Sequence, residues 1–126
     1  MATLDLTKDN FEQTIIDNNF VIIDFWAPWC GPCKGFAPVY EEVSEKFPHV
    51  VFAKVNTEEE QELAGYFQIR SIPTLMVFRE KVIIFSQPGA LPGSSLEEII
   101  TKASALDMDK VHADIAAEEA AKPAET

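Results

Sequence analysis

The seven residues Phe20-Val-Ile-Ile-Asp-Phe-Trp26 constrain this chain more than any other stretch, because their apolar side chains fall on both alternating faces of a strand. A strand that is apolar on both faces needs a layer of helices above it and another below. Residues 50–55 repeat the pattern with Lys54 as the one exception, just as Asp24 is the exception in the first run. The segments between supply the helices. Residues 7–18 open on a candidate N-cap and place Phe11, Ile15 and Ile16 on one stripe. Phe36, Val39, Tyr40, Val43 and Phe47 recur at three- and four-residue steps, with Pro38 expected to kink that helix. The acidic run at 58–62 suits the first turns of a third helix reaching Phe67.

The second half reads differently. Leu75-Met-Val-Phe78 and Val82-Ile-Ile-Phe85 are separated only by Arg79-Glu80-Lys81, a connection so short that the two strands must be antiparallel. Pro88-Gly89 and Pro92-Gly93 mark a loop. Ser94 or Ser95 is then expected to cap a helix with Glu97 and Glu98 in its first turn and Leu96, Ile99, Ile100 and Ala103 along it. The predicted class is α/β with a mixed sheet. Residues 1–106 form the domain, and residues 107–126 form an acidic, alanine-rich extension in which the last helix runs on and frays near Pro123.

Charge narrows the partners. The 126 residues carry 21 acidic against 10 basic side chains, a formal net charge of −11, which repels phosphate backbones and anionic membrane surfaces. The apolar runs are far shorter than a membrane span requires. Residues 1–10 hold no stretch of signal-peptide character, so the expected compartment is the cytoplasm. An acidic surface that repels itself, with no apolar stripe left over, predicts a monomer.

The chain has two cysteines, Cys30 and Cys33, too close together to staple a fold of this size. Their expected use is chemistry. A strand ending at Trp26 and a helix beginning near Cys30 place the first thiol at a helix N-terminus, where unpaired N–H groups and the macrodipole favour the thiolate. The three-residue spacing makes Cys30 the exposed attacker and Cys33, one turn deeper, the resolver. Gly31 admits close approach of a partner, and Pro32 starts the helix where its missing N–H costs nothing. Half of a zinc site is the competing reading of such a pair. With no second cysteine pair, and only His49 and His112 as further soft ligands, no metal is expected.

Phe25-Trp26-Ala27-Pro28-Trp29-Cys30-Gly31-Pro32-Cys33-Lys34, with Pro38 after it, resembles the active site of the thioredoxin family. Asp24, Lys54, Ile72-Pro73-Thr74 and Gly89-Ala90 extend the resemblance over about residues 3 to 106, leaving the tail outside it. It implies a central mixed sheet of about five strands flanked by four helices. It also implies a thiol–disulfide oxidoreductase that reduces protein disulfides and takes electrons from NADPH through a separate flavoprotein, thioredoxin reductase, with no cofactor of its own.

An acid at a strand end ordinarily marks a wet terminus, but apolar neighbours on both sides of Asp24 predict a carboxyl that holds its proton near neutrality. The resemblance places it behind Cys33 as proton acceptor, with Lys54, otherwise readable as a snorkelling lysine, tuning it. It further implies a cis Ile72–Pro73 bond. Trp29, Ile72, Pro73, Gly89 and Ala90 then form the substrate-binding rim, with the backbone before the proline pairing with an extended substrate segment. Trp26 braces the active-site turn. Two departures stand out: Ser71, where many relatives have glycine, and Arg79-Glu80-Lys81 in place of an Asn-Gly or Asp-Gly turn. An oxidant or isomerase in an oxidising compartment is one alternative; a docking or chaperone accessory module with incidental thiols is another, favoured only by the acidic tail.

Overall fold

The computed structural model describes residues 3–121. In chain order the elements are β1 (Thr3–Asp5), α1 (Phe11–Asp17), β2 (Phe20–Trp26), α2 (Gly31–Lys46), β3 (Val51–Asn56) and α3 (Gln61–Tyr66). They continue with β4 (Thr74–Arg79), β5 (Val82–Pro88), α4 (Gly93–Ser104) and α5 (Met108–Ala121). The five strands form one sheet in the order β1-β3-β2-β4-β5. β1, β3 and β2 run parallel, and β4 and β5 antiparallel to their neighbours, so the sheet is mixed.

β2 is the central strand its composition demands. Its first six residues are buried, and alternate side chains enter two separate cores. Phe20 and Ile22 join Phe52, Leu75 and Val77 beneath α2 and α4, which contribute Phe36, Tyr40, Leu96 and Ile100. Val21, Ile23 and Phe25 join Val55, Met76 and Phe78 beneath α1 and α3, with Ile15, Phe11 and Phe67 closing that side. At ~1.5–3 kcal/mol for each large apolar side chain removed from water, these two layers supply the main drive to fold.

Several local expectations are corrected. α1 starts at Phe11, because the Thr7 carbonyl accepts the Phe11 N–H while the Asn10 side chain turns back onto the Thr7 N–H. Ile16 points to solvent, leaving Phe11 and Ile15 to face the core. The acids at 58 and 59 lie in a turn before α3. α4 begins at Gly93 with Pro92 at the N-cap position and no side-chain cap, which puts Glu97 and Glu98 in the second turn instead of the first. α4 also does not run on: it stops at Ser104, and α5 is a separate fifth helix whose first residue, Met108, is buried. Pro123 lies outside the described residues.

The hairpin turn is two residues long, with Glu80 at φ 49° and Lys81 at φ 71°. That is the left-handed geometry for which Asn-Gly is usually chosen. Glu80 has another task. Its carboxylate contacts the Arg79 guanidinium at 3.8 Å and His112 of α5 at 3.2 Å, while Arg79 donates to the Ala103 carbonyl at the end of α4.

Candidate active site at the head of the second helix

The sheet delivers the reactive pair to the C-terminal end of β2. After Trp26 the chain turns through Ala27, Pro28 and Trp29, and Cys30 occupies the N-cap position of α2, with Pro32 in the first turn. The Cys30 sulfur accepts the N–H of Cys33 at 3.2 Å, so a cap usually supplied by an oxygen is here supplied by the reactive atom itself. The two cysteines are joined as a disulfide, their Cα atoms 5.2 Å apart.

Neither cysteine is open to solvent as a residue. Cys30 is 6% exposed and Cys33 3%, so the expectation of an exposed first cysteine is not met. Bonding to Cys33 and packing against Ala27, Ile72 and Trp26 enclose it. The asymmetry lies in the neighbours. Trp29, 68% exposed, precedes Cys30, and the solvent-exposed Gly31 and Pro32 follow it. A Cβ placed on Gly31 would meet nothing within 4 Å, so the space above the turn is open to an incoming chain.

The opposite wall is the segment before β4. Its Ile72–Pro73 bond is cis, and the Ile72 carbonyl oxygen lies 3.8 Å from the Cys30 sulfur. Pro73 is buried, and its carbonyl accepts the Gly89 N–H at 2.7 Å, which brings the Gly89-Ala90 loop alongside. Gly89 has φ 103°, where a side chain is strained. The structure therefore draws Trp29, Ile72, Pro73, Gly89 and Ala90 around one end of the sheet. Pro38, by contrast, sits exposed inside α2, which remains one element of 16 residues across it.

On β2, two residues before the strand end from which the active-site turn departs, lies Asp24, 1% exposed. Neither of its carboxyl oxygens has a hydrogen-bond partner among the described residues. Burial pushes the carboxyl up from 3.8 to about 7, against the smaller opposing pull of the Lys54 charge. Lys54 is opposite Asp24 in the β2–β3 register but makes no ion pair with it. Its ammonium instead lies 4.8 Å from the centre of the Trp26 ring, a cation–π contact. Lys54 and Trp26 line a cleft of about 200 Å³ that Asp24 does not reach.

One contributor escaped the sequence reading, and another was quoted in the motif without a role. Thr57 donates both its backbone N–H and its hydroxyl to the Trp26 carbonyl, at 2.8 and 3.0 Å, fixing the strand end from which the active-site turn departs. Ala27 is fully buried against the disulfide. An isolated threonine carries no pattern that would have announced it.

A cysteine pair at a helix head beside a cis proline, on the end of a strand that buries a carboxyl, matches what comparison with known proteins finds. The family model described as Thioredoxin matches residues 2–102. The chain belongs to the thioredoxin family. It is 56% identical over 119 residues to the Streptomyces coelicolor protein named "Putative thioredoxin 2", covering 94% of this chain and 89% of the relative. It is 39% identical to thioredoxin 1 of a Nostoc species, over 80% of this chain and 96% of that one. The solved structure of Plasmodium falciparum thioredoxin superposes with a TM-score of 0.74 at 38% identity, covering 79% of this chain and 97% of the other. With its Cys-Gly-Pro-Cys pair at bonding distance, this thioredoxin is a thiol–disulfide oxidoreductase acting on disulfides in proteins. An alignment of 119 residues also reaches past position 106, so part of the C-terminal segment has a counterpart in the Streptomyces protein.

Proposed function

We propose that this thioredoxin is a cytoplasmic reductant in which Cys30 attacks, Cys33 resolves and Asp24 receives the Cys33 proton. The Cys30 thiolate attacks one sulfur of a substrate disulfide, forming a mixed disulfide and expelling the first substrate thiolate. Cys33 then gives its proton to Asp24, and its thiolate attacks the Cys30 sulfur, closing the Cys30–Cys33 bond and expelling the second substrate thiolate. Two electrons pass to the substrate. The observation that supports this reading is the Asp24 carboxyl, buried on the strand that leads into the cysteine turn, without a hydrogen-bond partner and pushed up to about 7, where it can take up and return a proton at physiological pH. Lys54, across the register, limits how far burial raises it.

Trp29, Ile72, Pro73, Gly89 and Ala90 are the surface on which an extended substrate segment docks beside Cys30, with Gly31 and Pro32 leaving room for it. Trp26 braces the turn, held through its carbonyl by Thr57. Electrons return from NADPH through a flavoprotein thioredoxin reductase, and this chain needs no cofactor of its own. The cytoplasmic setting rests on likeness to bacterial thioredoxins; no helix among the described residues is long and apolar enough to cross a membrane. The protein is a monomer kept apart by its acidic surface, with the catalytic domain at residues 1–106 and the acidic extension at 107–126.

Two substitutions test the division of labour. Cys30→Ser abolishes reduction of a protein disulfide, while Cys33→Ser forms a stable covalent adduct with the substrate, visible on a non-reducing gel. A Cys33→Ser protein that turned over many substrate molecules would sink the assignment.

A further inference from the structure

Tyr40 is a buried, titratable side chain for which the scheme above has no use. It lies on the face of α2 turned to the sheet and has no exposed surface. Its ring is wedged between those of Phe36 and Phe52, with centroids at 5.7 and 5.3 Å. Its hydroxyl lies 2.7 Å from the Ala53 carbonyl oxygen and 3.0 Å from that of Ile22. Ile22 pairs with Phe52 and Ile23 with Ala53, so this one hydroxyl spans β2 and β3 immediately before the Asp24–Lys54 pair. It lies on the same face of the sheet as Asp24, since Ile22, two residues earlier, enters the core that holds Tyr40.

Filling that space requires a ring and no oxygen. The oxygen matters through what it does with its proton. A hydroxyl has one proton to give, and both of its partners are acceptors, so the proton is committed to the sheet. What remains for the surroundings is the oxygen, which offers a carboxylate nothing. The two groups do sense one another: the Asp24 charge, added to complete burial, drives the Tyr40 hydroxyl well above its ordinary range. The other polar groups at this end of the sheet are the Trp26 Nε1 of β2, Lys54 from β3 and the two cysteines at the head of α2, while the residue paired with Asp24 on β4 is the apolar Leu75.

We propose that Tyr40 is a positioning residue for the resolving step: by spending its only proton on the Ile22 and Ala53 carbonyls, it pins the two strands beneath Asp24 and keeps the carboxyl without a donor, ready to accept the Cys33 proton. This rests on the reading of Asp24 as acceptor. Removing the hydroxyl takes away the negative end of its dipole, which the Asp24 charge senses, and that change favours the carboxylate.

The test is Tyr40→Phe in the full chain, with the Asp24 carboxyl titrated by carbon NMR and the pH profile of protein-disulfide reduction measured alongside. The expected result is a downward shift of the Asp24 midpoint by about half a unit, an approximately threefold loss of proton affinity, with the rate profile moving equally. In an Asp24→Asn background the same substitution should leave the pH profile unchanged. An Asp24 midpoint that stays or rises, or a profile shift that persists without Asp24, overturns the proposal. A pH profile insensitive to Asp24→Asn alone would instead refute the acceptor reading. Should the phenylalanine protein not fold, Tyr40→Leu carries the same expectation, and failure of both to fold assigns Tyr40 to the scaffold and overturns its positioning role.

Discussion

At the cysteine end of the sheet the Asp24 carboxyl and the Trp26 Nε1 are buried without hydrogen-bond partners among the described residues. At the hairpin end, four residues along β4 from Leu75, the partner of Asp24, inward-turned charge is answered: Arg79 has the Ala103 carbonyl, the Glu80 carboxylate and the face of Phe20 at 5.3 Å. The Glu80 N–H reaches the Asn19 carbonyl at 2.8 Å, and its carboxylate also meets His112. A buried polar group without a partner costs ~1–3 kcal/mol, more if charged. One end of the molecule therefore carries unsatisfied polar groups on the strand that leads to the cysteines, and the other is satisfied and holds the fold. Chemistry and stability are separated along the strand axis.

This contrast can be broken most forcefully at Asp24. With its carboxyl raised from 3.8 to about 7 on folding, the native state binds the proton more tightly. The associated stability is fully present below pH ~4 and is lost as pH rises through 7. The roughly three-unit shift amounts to ~4 kcal/mol. Asp24→Leu is expected to abolish that slope, making the protein more stable than wild type by up to ~4 kcal/mol at pH 8 and little different at pH 4, with loss of efficient reductase turnover. Guanidinium unfolding at the two pH values checks it.

Arg79→Ala probes the other end. It removes a charged donor from a buried carbonyl and should cost ~2 kcal/mol while leaving the pH profile of reduction where it was. Unfolding midpoints and rate profiles measured on the same preparation decide whether the two ends are as separate as the contrast claims.

A smaller gain is expected from Lys81→Gly, which relieves the residue at φ 71° and leaves Glu80 to its partners. A rise of ~0.5–1 kcal/mol in unfolding free energy is the expected outcome. The smallest effect belongs to His112→Ala. The His112–Glu80 contact is solvent-exposed, so its loss should lower stability by no more than ~0.5 kcal/mol, measurable as a slight drop in the thermal midpoint.

What could be read in advance follows from how far each signal is confined to its own segment. β2 was legible to the residue because seven consecutive side chains enter two cores. Asp24 stood out because nothing polar belongs there. The hairpin followed from the length of its connection, and the α2 face from regular spacing. β1 has only three residues, Thr3–Asp5, held by pairing with β3, and so short a run has no period to detect. The start of α4 was misplaced because two serines made a more persuasive cap than Pro92. The break before α5 depends on burying Met108, a tertiary event with no local mark. The cis Ile72–Pro73 bond and the gathering of Gly89 beside Pro73 were reached through family resemblance and not through residue pattern. Lys54 was linked to Asp24 only through family resemblance; its place across the register and its contact with Trp26 depend on strand pairing and side-chain reach that no spacing encodes. Tyr40 was read as one more apolar-face residue of a helix; its hydroxyl acquires meaning only once two strands lie beneath it.

The clasp between α5 and the hairpin turn also fixes how the molecule can be handled. Since His112 meets Glu80 at the end of β4 farthest from Pro73, the first turns of α5 are anchored at the pole opposite the cysteine pair. A label placed on those first turns therefore stays clear of the Trp29 face and of whatever disulfide arrives there.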